Sequence, residues 1–312
     1  MNDIKVSVII PIYNAEEHVM DALSSVLAQS LKEIEILCFD DGSSDQSSKL
    51  VEEAALYDAR IVLYKGKNRG VSWCRNRGID IASGEYVAFL DADDLFPNKD
   101  QLEQQYSMAK KKEALICGGS MTENRPEGKF KNWGIENKGF VFDNEGWIEY
   151  KDYQFDYGFY RFIYKTSFLK KKRTYFPALS RYQDPPFFVD AMTKARKFYA
   201  LNKETYLYRV GDSGVSWTTK KTIDCIKGVK LNLRKSLKNN FYDLYYLSFL
   251  RAFRDFAEQI QEKLYDNDKR VIRLVKALIR IYDESIIKKS KYFEYLGSIK
   301  IDERLKELKG KK

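Results

Sequence analysis

Residues 85–94 read Glu85-Tyr86-Val87-Ala88-Phe89-Leu90-Asp91-Ala92-Asp93-Asp94. The apolar run predicts a buried strand, and it stops on three carboxylates within four positions. The same arrangement occurs upstream, where Glu35-Ile36-Leu37-Cys38-Phe39 runs into Asp40-Asp41-Gly42-Ser43-Ser44-Asp45. Lys5–Ile10, ended by Pro11, and Arg60–Tyr64 supply two further strands. Between them lie segments of helical periodicity. Residues 15–30 place Val19, Leu23, Val26 and Leu27 on one face, residues 45–57 begin with Asp45 as an N-terminal cap, and residues 70–82 form a third helix. Strands separated by helices of this length predict crossovers, and hence an α/β fold with a doubly wound, mainly parallel sheet. Ligands of such sheets bind beyond the carboxyl ends of the strands. Both acidic clusters fall at those ends.

Further along, a lysine-rich helix (100–112) leads to a short strand, Ala114–Cys117. An aromatic stretch follows with Trp133, Trp147, Tyr150, Tyr153, Phe155, Tyr157, Phe159, Tyr160 and Tyr164, read as a substrate-facing surface. Residues 220–312 read as helical. Tyr242, Tyr245, Tyr246, Phe249, Phe253 and Phe256 recur there at helical spacing, the pattern of a core stripe or a subunit seam. The expected organisation is 1–98, 99–217 as a second half of the same mixed domain, and a helical region, 218–312.

Composition narrows the chemistry. With 312 residues and 44% hydrophobic positions, wholesale disorder is excluded. No apolar run approaches the ~18 residues of a membrane span, and the first residues lack the features of a signal peptide. Four scattered cysteines without CxxC spacing point to a reducing cytoplasm. One histidine, His18, makes histidine triads and His-Cys zinc sites improbable and leaves acid–base work to carboxylates. The net charge of +9 is uneven: residues 216–312 carry 24 basic and 13 acidic side chains, against 30 and 32 before them. Such a block suits an anionic partner, a lipid headgroup surface or a nucleic acid, or else a solvated helical face.

Carboxylates as close as Asp91, Asp93 and Asp94 repel one another unless a cation neutralises them. Hard oxygen donors favour Mg2+ or Mn2+, and a site with one or two protein carboxylates leaves coordination positions for a diphosphate. The structural alternative is an Asp-rich turn or helix start. At the other strand end, Asp40 or Asp41 can accept from a uracil N3–H or ribose hydroxyls while Asp45 caps; here the alternative is a turn. A helix starting near Gly70, in Asn68-Arg69-Gly70-Val71-Ser72, points free N–H groups at the same edge. Arg75 inside it can pair with Asp41, reach a phosphate, or lie solvated.

Pro11-Ile12-Tyr13-Asn14, Asp40-Asp41-Gly42-Ser43, Asn68-x-Gly70-Val71-Ser72-x-x-Arg75-Asn76 and Asp91-Ala92-Asp93-Asp94, in this order and spacing, resemble glycosyltransferase family 2. The resemblance is strong over 4–100 and continues to about 217 through Phe176-Pro177 and Tyr182-Gln183-Asp184-Pro185-Pro186-Phe187-Phe188. It implies the GT-A fold, a Rossmann-like doubly wound mixed sheet, with the helical region as a C-terminal extension. It implies an inverting transferase that takes a UDP-sugar. Pro11, Tyr13 and Asn14 would border the nucleoside, with Asn68, Gly70 and Arg75 beside it. Asp41 would contact the uracil, with Asp40 adjacent. Asp91, Ala92 and Asp93 match the DxD motif, with Asp91 and Asp93 as the carboxylates for Mn2+ or Mg2+ and Asp93 the better candidate for the direct ligand. Asp184 matches the general base, although Gln183 stands where many members carry another acid; the structural alternative is a loop carboxylate ahead of Pro185-Pro186, a stretch expected to be non-helical. Inversion would require Asp184 across the sugar from Asp93. No histidine falls in Tyr208–Trp217, so Arg209 is expected to supply positive charge at the diphosphate, with 211–216 as a closing loop and His18 a surface or packing residue.

The expected reaction moves a hexose or N-acetylhexosamine to a glycan or lipid-linked saccharide of a bacterial capsule, lipopolysaccharide or related surface polysaccharide. The basic region would rest on the inner face of the plasma membrane, and a homo-oligomer is compatible. Two rivals remain. A nucleotidyltransferase would release pyrophosphate, but no P-loop spacing occurs. A nucleic-acid-binding protein would account for the basic charge and leave the acidic clusters unexplained; no nucleic acid is expected.

Overall fold

The computed structural model describes residues 3–125, 128–130, 139–210 and 216–299. The chain forms two compact units: one of 1–153, 158–176 and 191–212, the other of 154–157, 177–190 and 213–312. Two short segments that the sequence groups with 99–217, namely 154–157 and 177–190, thus fall with the C-terminal helices.

The first unit holds a mixed sheet of nine strands. β1 (Val6–Ile12), β2 (Ile34–Asp40), β3 (Ile61–Lys65) and β4 (Tyr86–Phe89) are separated by α1 (Val19–Leu27), α2 (Ser47–Tyr57) and α3 (Val71–Ile81). α4 (Gln101–Lys111) leads to β5 (Ile116–Arg125), β6 (Gly128–Phe130), β7 (Gly146–Glu149), α5 (Tyr150–Tyr153), β8 (Phe162–Lys165) and α6 (Thr166–Lys172), and β9 (Lys197–Arg209) follows α7 (Asp184–Ala195). The order is β3-β2-β1-β4-β8-β5-β9-β7, with β6 paired to β5. β1, β2, β3 and β4 are mutually parallel, while β8 runs antiparallel to β4 and β5. β1 is buried along nearly its whole length, as a central parallel strand covered on both faces must be.

β1 continues through Pro11 to Ile12, two residues beyond the expected stop. Proline lacks the N–H that a central strand donates. The ladder to β4 ends at Ile9–Phe89, however, and Pro11 faces that side, so no bond is lost. The prolines after Asp184 also behave differently from expectation. Pro185 and Pro186 open α7, because the first helical turn needs no N–H partner and proline's φ already suits it.

Half of the described aromatic stretch is core rather than substrate surface: Tyr150, Phe155, Phe159 and Tyr164 are fully buried, Tyr153, Tyr157 and Tyr160 are half-buried, and Trp147 is exposed. Trp133 lies outside the described residues. In the second unit, α8 (Thr219–Asn239), α9 (Tyr242–Leu250), a π-helical turn (Arg251–Asp255), α10 (Ala257–Tyr265) and α11 (Lys269–Arg280) follow one another. Tyr245, Tyr246, Phe249, Phe253 and Phe256 are buried there, so the stripe serves this unit's own core and offers no subunit seam. Among the described residues no helix is long and apolar enough to cross a membrane.

Candidate active site

Parallel pairing puts the carboxyl ends of β1, β2 and β4 side by side. Ile12 is opposite Asp40, and the β1–β4 ladder ends at Ile9–Phe89, two residues before Asp91. The Asp40–Ser43 and Asp91–Asp94 segments therefore share one edge of the sheet with Tyr13 and Asn14.

The first cluster is neutralised by main chain. Asp41 is buried and accepts the Arg69 amide on Oδ1 and the Gly70 amide on Oδ2, each at 2.7 Å. Asp40, also buried, accepts the Ser43 amide at 3.1 Å. Gly42 has φ +85°, which lets the chain reverse between them. Asn14 donates its amide to Ser43 Oγ at 3.1 Å and takes the Ser44 amide on Oδ1 at 2.8 Å. Asp45 precedes the helix cap, Gln46, and accepts the amides of Ser47 and Glu16 at 3.0 Å and the Ser47 hydroxyl at 2.6 Å. Partial burial works against its charge, but these bonds outweigh it and hold the acid below the usual carboxylate range. Pro11 is half-buried, and Tyr13 and Asn68 are exposed beside this edge. Arg69 lies over the Trp73 ring at 4.8 Å.

The second cluster is divided three ways. Asp91 is partly exposed and pairs with Arg75 Nη2 at 2.5 Å. Arg75 is 2% exposed, with its guanidinium over the rings of Phe159 at 4.7 Å and Phe176 at 5.1 Å. It is therefore buried rather than solvated, and the carboxylate it is shown to pair with is Asp91. Ala92 turns inward and is buried. Asp93 opens to solvent from a crowded recess; the crowding and then the Asp91 carboxylate push its acid up, partly offset by His18 and Arg209. Asp94 is buried, accepting the Tyr206 hydroxyl at 2.6 Å and the Arg209 amide at 2.7 Å. Burial, followed by Asp93 and Asp91, raises its acid well above the ordinary range. Asp94 thus ties the Asp91–Asp94 segment to the end of β9, with both of its carboxylate oxygens engaged.

Arg209 donates to Asp21 at 2.9 Å and lies 3.0 Å from His18 Nδ1. Its Nε is buried and has no hydrogen-bond partner among the described residues. His18, expected from sequence to be a surface or packing residue, is half-buried and lies against Arg209 near Asp93. Its position gave the signal: the turn after β1 must lie at the carboxyl edge. Asp21, in the first turn of α1, carried no such signal and was not singled out. The 211–215 part of the expected closing loop lies outside the described residues.

No group of three His, Cys, Asp or Glu side chains among the described residues is arranged to hold an ion. Asp91 and Asp93 are two hard oxygen donors, Asp94 is committed elsewhere, and the Arg209 Nε–H is left over for an anion. That set fits a divalent ion completed by a diphosphate. Asp184 sits in the second unit as the first residue of α7 and is half-buried. Gln183 before it is buried, and its Oε1 has no partner among the described residues.

The glycosyl transferase family 2 profile matches residues 7–174. An uncharacterized glycosyltransferase of Rickettsia conorii is 42% identical over 130 residues, 42% of this chain and 21% of that protein. The chain therefore matches only about a fifth of that relative's length. Among solved structures, Staphylococcus aureus TarS in complex with UDP-GlcNAc superposes with a TM-score of 0.70 at 20% identity, covering 90% of this chain and 82% of that one. A mannosyltransferase of Pyrobaculum calidifontis in complex with GDP-Man and Mn2+ gives 0.59 at 15% identity, covering 95% and 83%. The fold is the GT-A fold.

Proposed function

The chain belongs to glycosyltransferase family 2, and on that premise we propose that it transfers a hexose or N-acetylhexosamine from a UDP-sugar, with inversion, to a saccharide or lipid-linked saccharide acceptor of a bacterial surface glycan. One observation carries the reading. Four carboxylates, Asp40, Asp41, Asp91 and Asp93, follow the ends of two strands, β2 and β4, that flank β1 at one edge, with a cation, Arg209, among them.

Asp41 is held in plane by two amides, and a carboxylate can accept about four bonds. It therefore retains capacity for a uracil N3–H, with Asp40 available to the ribose. Pro11, Tyr13, Asn14, Asn68 and Gly70 border the nucleoside. Asp91 and Asp93 would hold Mn2+ or Mg2+, and the ion when bound supplies positive charge for the departing diphosphate. Arg75 fixes the Asp91 carboxylate, and Arg209 Nε donates to the diphosphate. Negative charge grows there as the bond to the sugar breaks, so a fixed cation favours the transition state over the ground state. Asp184 accepts the proton of the attacking hydroxyl.

The acceptor is read as lipid-linked because α11 (Lys-Arg-Val-Ile-Arg-Leu-Val-Lys-Ala-Leu-Ile-Arg) carries five cations and no acid and exposes Lys269, Arg270, Arg273 and Arg280. Near an anionic bilayer each contributes about 1 kcal/mol. Cosedimentation with anionic vesicles at low salt tests this, and the protein staying in the supernatant refutes it.

The main test is a panel of UDP-sugars with Mn2+ or Mg2+ and a saccharide acceptor. Release of UDP, abolished by EDTA, is the expected outcome. Release of pyrophosphate, or no turnover with any UDP-sugar, removes the reading.

A further inference from the structure

The second unit buries an ion pair that the chemistry above does not use. Asp156 is 0% exposed and Arg251 3%. Arg251 Nη2 meets Asp156 Oδ1 at 3.3 Å, and its Nη1 donates to Asp255 at 3.0 Å. The guanidinium lies over the Tyr157 ring at 4.6 Å. The other Asp156 oxygen accepts the hydroxyl of Tyr182 at 3.0 Å. Desolvating two charges costs several kcal/mol per ion, and apolar replacements are often as stable or more so. A buried pair with fixed partners therefore suggests a demand for geometry more than for stability.

Two backbone irregularities meet at this pair. Arg251 opens the π-helical turn between α9 and α10, a form that is rare and frequent at functional sites. Tyr182 has φ +60°, a left-handed conformation that a bulky residue adopts only when its surroundings enforce it. The enforcement is visible. A Cβ at Gly228 of α8 would stand 2.7 Å from Tyr182 Cδ1 and 2.8 Å from its carbonyl oxygen, so only glycine lets the helix lie this close. One turn earlier on α8, Asp224 Oδ2 accepts the Ser180 amide at 3.0 Å and its hydroxyl at 2.8 Å. Residues 180–182 are thus held from α8 on one side and from the buried pair on the other. Two residues later the chain enters α7 at Asp184.

We propose that Asp156, Arg251 and Tyr182, with Gly228 giving the clearance, are positioning residues that fix the 182–184 turn and so the orientation of the Asp184 carboxylate. The inference rests on the reading of Asp184 as the general base. It also gives the C-terminal helices a role in the reaction itself.

The test uses the full chain and three variants. Tyr182→Phe removes one hydroxyl and leaves the Asp156–Arg251 pair intact. Gly228→Ala presses on the turn from the other side. Asp184→Asn reports on the base. A misaimed base lowers kcat by about tenfold or more while leaving the donor site alone. Both positioning variants should therefore lose that factor well below their melting temperatures, with UDP affinity within about twofold of wild type, and Tyr182→Phe should add no loss on top of Asp184→Asn. If Asp184→Asn is inactive while Tyr182→Phe keeps full kcat, the positioning role is overturned and the base stands. The role is also overturned if the double variant loses the further tenfold. If Asp184→Asn turns over normally, the base reading falls and takes the network with it. Gly228→Ala counts only where it folds; Tyr182→Phe decides alone otherwise.

Discussion

The two acidic segments at the sheet edge differ in what neutralises them. Around Asp40, Asp41 and Asp45 the compensation is internal: main-chain amides of Arg69, Gly70, Ser43, Ser47 and Glu16 already occupy the carboxylates. Around Asp91, Asp93 and Asp94 it is incomplete. Arg75 serves Asp91 and Tyr206 serves Asp94, while Asp93 is left in a crowded recess beside a like charge. The first cluster is a finished frame, which on the proposed reading would meet a nucleoside without rearrangement. The second is electrostatically unfinished and gains from a cation. One sheet edge thus carries a cluster already compensated by main chain and a cluster that is not, which the proposed function reads as its recognition end and its reaction end.

The largest expected effect comes from removing the unfinished charge. Asp93→Asn should lower turnover by roughly a hundredfold or more, since on the proposed reading it deletes a metal ligand where transition-state charge is stabilised. Without metal it should not lower the melting temperature at neutral pH, and a gain of about 1–2 °C is expected because a repulsion disappears. Steady-state kinetics and calorimetric melting on one preparation check both. A variant that keeps its activity, or melts several degrees lower, would show that the two clusters do not differ as described.

Asp41→Asn should reverse the pattern, with stability suffering first. The amide side chain has one acceptor oxygen where the carboxylate has two, so one of the Arg69 and Gly70 amides loses its buried, charge-assisted partner. Such bonds contribute about 1.5–3 kcal/mol. A destabilisation of about 2 kcal/mol by urea titration is expected, with UDP binding weakened by about tenfold as the 68–70 turn loosens. Stability equal to wild type would mean that the frame is not built on Asp41.

Residues 5–94 were legible because each strand is an apolar run stopped by an acid or a turn, and parallel pairing then forces the acids together. What failed there was proline chemistry. Pro11 read as a strand stop, though its missing N–H faces a side where the ladder has already ended. Pro185 and Pro186 read as barring a helix that they in fact open. The partners within the site were harder. The sequence left Arg75 open to Asp41, a phosphate or solvent, whereas packing between Phe159 and Phe176 aims it at Asp91. Those rings lie more than eighty residues away, and no local pattern announces them. The aromatic stretch misled because spacing cannot separate a buried ring from an exposed one outside regular elements. Asp156 and Arg251, 95 residues apart, became partners only through the fold of the second unit.

The smallest effect is also the most direct comparison of the two clusters, because their acids move in opposite directions. Asp45 is held below its ordinary value, so its contribution is present above the unfolded-state pKa and is lost as pH falls through the depressed folded one. Asp93 is raised, so its contribution is present below the unfolded-state pKa and is lost as pH rises through the raised folded one. Without metal, Asp45→Asn should therefore melt below wild type at pH 7, by the equivalent of about 1 kcal/mol for a capping-type interaction, and converge on it in acid. Asp93→Asn should melt at or above wild type at pH 7 and converge in acid from the other side. Adding Mn2+ with UDP should raise the wild-type melting temperature more at pH 7 than at pH 5, because the ion binds the ionised carboxylate that acid removes. Melting curves across pH 4–8 for the three proteins decide the matter: difference curves of the same sign would dissolve the contrast between a finished and an unfinished cluster.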